Sequence, residues 1–278
     1  STKEKAVNQI TEGVIWKQLL FFFFPIMLGT LFQQLYNIAD SFVAGRWIGT
    51  SALAAVGNSY EITLIYIAFA FGCNMGLSSG ATVIIARYYG AKNKKDLNDT
   101  LHTAAALSVA GGILITIAGI LFTPSMLKIM KTPADVMADS ATYLRIYFGG
   151  IIFVFIYNVG SAILRAVGDS TRPLYFLIAC CFINIFLDVL LVVGFNMGVA
   201  GAAIATVVSQ AVSAVLVIWA LLKSKDMYCL HPKEIRFHKF LLVSIITIGL
   251  PAGIQSVMYN LANMIIQTSL NDLGTSTM

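Results

Sequence analysis

Asn184 and Asp188 stand four residues apart in the otherwise oily run ACCFINIFLDVLL. On a helix that spacing stacks an amide and a carboxylate on one face. A second stripe runs through QQLYNIAD, where Gln33, Tyr36, Asn37 and Asp40 recur at spacings of three and four. Thr206, Ser209, Gln210 and Ser213 form a third. Each stripe sets oxygen-bearing groups into apolar surroundings, where a carboxylate costs about 2.5–3.5 kcal/mol at a bilayer centre. Two carboxylates brought together at low dielectric do not both stay bare. Either one takes a proton under desolvation and like charge, or a hard cation bridges them. Oxygen ligands suit alkali and alkaline-earth ions, not soft metals. Both outcomes describe an ion-coupling site. For Asp40 the alternative is a wet position near the outer interface, six residues before Arg46.

Other chemistries lack their signatures. There is no H-E-x-x-H, and Ser78-Ser79-Gly80 has no histidine partner within an apolar run, so no enzyme is expected. Cys73, Cys180, Cys181 and Cys229 show no C-x-x-C spacing and read as buried structural thiols. His102, His231 and His238 have no metal-ligand spacing and read as solvated or capping residues. No cofactor is expected, only a coupling ion, a proton or a hard cation, at the acidic stripes. Glu61 has no polar stripe beside it and reads as an outer-interface residue.

The elements that must hold these stripes are membrane helices. Apolar residues make up 58% of the chain and charged residues 11%, against about 25% charged in a soluble domain. Mean hydropathy is +0.82. Apolar runs of about 20 residues, enough for a helix to cross a bilayer, recur near 17–44, 53–86, 101–122, 141–164, 173–195, 199–222 and 241–269. The fold class is an all-α polytopic membrane bundle. Alternation over roughly ten-residue strands, which an outer-membrane barrel requires, is absent from the sequence.

The basic residues orient the bundle. With the N-terminus in the cytoplasm, only Arg46, Lys128, Lys131 and Arg145 fall outside, and every other lysine and arginine falls inside. The positive-inside rule therefore puts the N-terminus in the cytoplasm of a cell membrane. It also accounts for the net charge of +5 through an anionic leaflet, without nucleic acid. Pro25 lies inside the first run and reads as a kink or a hinge.

The long polar stretch KSKDMYCLHPKEIRFHK reads as a linker. After it, Tyr259-Asn260-Leu261-Ala262-Asn263 and Gly274-Thr275-Ser276 echo Tyr36-Asn37-Ile38-Ala39-Asp40 and Gly49-Thr50-Ser51. A six-span period preserves topology, so the halves would be parallel repeats. The expected organisation is an N-terminal lobe at 1–222, a cytoplasmic linker at 223–239, and a seventh helix at 240–278 that starts a second lobe. The chain reads as truncated or as an isolated first lobe.

With Pro25 and Asp40 in the first span, GTSALAAVG at 49–57, LRAVGDSTRP at 164–173, and Asn184, Asp188 and Thr206 further on, the whole chain resembles the multidrug and toxic compound extrusion (MATE) transporters. The resemblance implies two six-helix lobes around a cavity that opens alternately to each side. It implies export of organic cations and amphipathic compounds in exchange for protons or sodium. It assigns the cation site to Asp40, Asn184, Asp188 and Thr206, with Tyr36 and Asn37 beside it. Gln33 and Gln210 join these two as substrate-cavity candidates from their place on the polar stripes. Transport would need the second lobe, and no obligate protein partner is expected. Two other readings compete. A lipid-linked oligosaccharide flippase of the same superfamily would line its cavity with basic residues, where these spans hold acids. The other is a seven-helix receptor or retinal protein: a retinal protein would need a Schiff-base lysine in the last span, and none occurs between Phe240 and Met278, while the polar linker before that span fits two lobes better than one bundle.

Overall fold

The computed structural model describes residues 14–43, 46, 72–129, 137–224 and 227–272, with some side chains, including those of Tyr36, Asn37 and Asp40, outside the description. The first part of the second expected span, with Glu61, also lies outside it. Among the described residues the main helices are α1 (Ile15–Val43), α2 (72–90), α3 (Lys94–Ile129), α4 (Met137–Ala166), α5 (Thr171–Asp188), α6 (Gly198–Leu222) and α7 (Lys239–Asp272). Six of them are long and apolar enough, within the described residues, to cross a membrane. The all-helical polytopic expectation is met.

Several helices outrun the apolar windows that mark them. α3 starts at Lys94, well before the oily run at 101. Its polar start is held by an Asn93 side-chain cap: Asn93 Oδ1 accepts the Asp96 N–H at 3.2 Å, and Asn93 Nδ2 donates to Asp96 Oδ2 at 2.8 Å. Hydropathy reports the part of a helix in oil, whereas the backbone ladder continues wherever a cap satisfies its end.

The bundle is organised around α4, which packs against both α3 and α6, while α5 packs on α6 and α1 on α5. Lipid-like surroundings give little hydrophobic drive between helices, so close approach over small residues matters. Gly112 and Gly119 of α3 seat Ile152 and Phe148 of α4, and Gly150 and Gly160 of α4 seat Val207 and Val217 of α6. The tightest approach is between α2 and α7. A Cβ added at Gly76 would lie 2.5 Å from the Gly249 carbonyl oxygen, and one at Gly72 2.9 Å from that of Gly253. Gly80 lies against the Ile245 carbonyl in the same way. The two backbones touch along three turns.

The connection from α6 to α7 lies on the start of α3. The Leu230 N–H donates to the Leu221 carbonyl at 3.1 Å, and Tyr228 is buried edge-on to Tyr89. His102 differs from the solvated or capping reading. It is 1% exposed, with Nδ1 2.7 Å from the Asn98 carbonyl oxygen and Nε2 accepting the His231 N–H at 2.9 Å. The His238 N–H reaches Thr103 Oγ1 at 3.3 Å, and Asn98 Nδ2 donates to Glu234 at 3.0 Å. All three histidines thus sit in one clasp between the connection and α3.

Candidate functional site

α5 is started by a side-chain cap and ended by a change of helical pitch. Asp169 Oδ1 accepts the N–H groups of Thr171 and Arg172 at 3.2 and 3.1 Å, and Asp169 pairs with Arg172 at 3.0 Å. Pro173 sits in the first turn, where its missing N–H is harmless. Directly after Asp188 the ladder widens into a π-helix at Val189–Gly194. Such single π segments recur at functional sites because they re-aim the side chains beside them. Gly198, at φ +57°, then turns the chain into α6.

The π segment carries a small cluster in which Val192 meets Val43 of α1 and Ala202 of α6. This cluster fixes the register of three helices. Asp188 is four residues from Val192, Thr206 four from Ala202, and Asp40 three from Val43. α1 and α5 run one way and α6 returns, so all three residues fall one helical turn to the same side of the cluster. The Asp40 side chain itself lies outside the described residues.

Asn184 and Asp188 are 0% and 1% exposed. Neither Asn184 amide atom has a hydrogen-bond partner among the described residues. A buried amide left so costs about 1–3 kcal/mol in desolvation. Thr206, Ser209 and Ser213 are also buried. Each donates to its own helix, Thr206 to the Ala202 carbonyl at 3.0 Å, Ser209 to that of Thr206 at 2.8 Å and Ser213 to that of Ser209 at 3.0 Å. With donors spent on the backbone, their oxygens turn lone pairs outward. The arrangement is acceptor-rich and suited to a proton or a hard cation.

The remaining candidates divide. Gln210 is half-buried on α6, one residue past Ser209. Pro25 and Gln33 of α1 line a separate cavity of about 110 Å³ against α4 and α5. Gln33 lies seven residues before Asp40, about 10 Å along the helix axis. Asn74 of α2 is a further polar residue that the sequence stripes did not include. It is 1% exposed, its Oδ1 accepts the Ser78 hydroxyl at 3.5 Å, and its Nδ2 has no partner among the described residues. A signal for it exists, since Asn74, Ser78 and Thr82 repeat at i, i+4.

A family model described as MatE matches residues 25–190. The chain is 32% identical to the probable multidrug resistance protein YpnP of Bacillus subtilis (strain 168), over 95% of this chain and 58% of that protein. It is 30% identical to the probable multidrug resistance protein YoeA of the same organism, over 99% of this chain and 60% of that protein. A crystal structure of MATE in the straight conformation matches with a TM-score of 0.85 at 28% identity, covering 97% of this chain and 59% of that one. The chain spans about 60% of the length of the relatives it matches.

Proposed function

The chain belongs to the MATE family of transporters, and from that premise we propose that it forms the ion-coupling half of a multidrug efflux antiporter. Asp40, Asn184, Asp188 and Thr206 exchange H+ or Na+ for an organic cation or amphipathic compound. Residues 1–222 make the coupling lobe, 223–239 a cytoplasmic linker, and 240–278 the first helix of the partner lobe. The N-terminus faces the cytoplasm. Tyr36, Asn37, Gln33 and Gln210 line the substrate path, and Pro25 lets α1 bend.

One observation supports this reading most. The Val43, Val192 and Ala202 cluster sets α1, α5 and α6 in a common register, and about two turns from it along α5 lies an Asn184 amide without a partner among the described residues. An incoming cation gains from an amide oxygen that the fold has desolvated and left available. Exchange then follows from competition: a cation held by the carboxylates and a cationic substrate each lower the other's occupancy.

The test is transport by the full-length protein in liposomes, driven by a pH jump or a sodium jump. Asp40→Asn and Asp188→Asn should each abolish drug efflux while leaving the protein folded. Efflux that survives both substitutions removes the proposal. The effective jump identifies the ion.

A further inference from the structure

The motif LRAVGDSTRP holds a charge that the coupling site does not use. Arg165 sits in the last turn of α4, half-buried, and lines the cavity of about 110 Å³ between α1, α4 and α5. Among the described residues it makes no ion pair, since the two present join Arg172 to Asp169 and His238 to Asp99. Asp169, the nearest carboxylate in sequence, already accepts from the Thr171 and Arg172 N–H groups and the Arg172 side chain. A guanidinium drawn out of water without an anion forgoes its strongest interaction.

The rest of the lining supplies neutral hydrogen-bonding groups and no acid. Ser170 caps α5 by position but not by bond, because its hydroxyl makes no capping hydrogen bond. It is 5% exposed and faces the cavity. Asn158 and Gln33 add amides. The Tyr157 hydroxyl donates to the Pro173 carbonyl at 3.2 Å, which holds α4 and α5 together across the floor. Leu174 and Leu177 form an apolar wall against Gly29 of α1. The volume exceeds the roughly 30 Å³ share of one water and is ample for a tetrahedral oxyanion.

We propose that Arg165, Ser170 and Asn158 form a binding site for a phosphate group, carried either by an anionic lipid headgroup or by free phosphate. Arg165 takes two phosphate oxygens in its planar fork, Ser170 and Asn158 donate to the remaining ones, and the leucine wall accommodates any attached apolar portion. The cavity shares Gln33 and Pro25 with α1 of the proposed substrate path, but its three ligands lie outside the acidic stripes, and the site does not depend on the antiport reading.

The experiment uses the full-length protein in nanodiscs of phosphatidylcholine with or without phosphatidylglycerol. Native mass spectrometry counts retained phosphatidylglycerol, and thermal unfolding is followed with and without added inorganic phosphate. Arg165→Gln should reduce phosphatidylglycerol retention at least fivefold, Arg165→Lys should restore part of it, and Arg87→Gln, at an exposed position near the end of α2, should leave it unchanged. That pattern identifies the lipid source. Stabilisation by inorganic phosphate in pure phosphatidylcholine, lost in Arg165→Gln, identifies the free ion. Equal losses in Arg165→Gln and Arg87→Gln would mean diffuse attraction to the leaflet and would overturn the site. So would a wild-type protein that responds to neither phosphate source. Should Arg165→Gln fail to fold, Ser170→Ala takes its place. Weakened lipid retention or weakened phosphate stabilisation in that variant supports the site, and values equal to wild type in both overturn it.

Discussion

The clasp between α3 and the connection to α7 and the polar stripe of α5 both bury polar groups, and they treat them oppositely. In the clasp His102 is closed off from solvent, yet both its ring nitrogens are matched, one to Asn98 and one to His231. On α5, Asn184 is equally buried and neither amide atom is matched among the described residues. Matched groups specify a fold, because only one arrangement satisfies them all. An unmatched group works against the fold and persists where a ligand uses it. The difference separates a part of the chain whose buried histidine is fully matched from a part with a buried amide that is not.

The contrast is sharpest under substitution. Asn184→Leu removes the unmatched amide at similar volume. Transport by the full-length protein should fall at least about tenfold, roughly 1.4 kcal/mol or more of lost coupling, with the unfolding midpoint unchanged or higher. A large loss of stability with transport intact would erase the distinction. His102→Ala should do the reverse. It removes the acceptor of the His231 N–H and opens a cavity, costing about 2–4 kcal/mol, read as a lowered midpoint with near-normal transport per folded molecule. Asn98→Ala removes a bond to the exposed Glu234 and should cost about 1 kcal/mol or less, seen as faster hydrogen exchange of the connection. Ser213→Ala should be smallest, within about 1 kcal/mol, since its hydroxyl bonds only its own helix. A strong transport defect there would extend the site one turn along α6.

The helices and the stripes are legible in the sequence because both are local. An oily run long enough to span a bilayer and an Asn184–Asp188 repeat are visible without knowing what packs where. The clasp is not legible, because His102 and His231 are 129 positions apart and histidine in a basic loop looks the same whether wet or paired. The π segment after Asp188 is hidden for another reason: VLLVVG is as apolar as ordinary helix, and its Val192 finds its partners on α1 and α6, far away in sequence. Arg165 reads as a loop charge, whereas α4 extends to Ala166 and draws it into a cavity. Local pattern names the residues, and tertiary packing decides whether they are satisfied.

The α2 and α7 seam has a mechanical corollary. Where Gly76 faces Gly249 the contact is main chain to main chain, while at the two ends the Val257 side chain sits against Gly72 and the buried Ile245 joins the α2 residues Ala81, Ile84 and Ile85 in one core cluster. Interlocked surfaces must lift clear of one another and change rotamers before they move, so parting these helices means freeing the two end side chains, whereas the glycine stretch between them has nothing to unhook. The joint is therefore smooth at its middle and pinned at its ends by Val257 and Ile245.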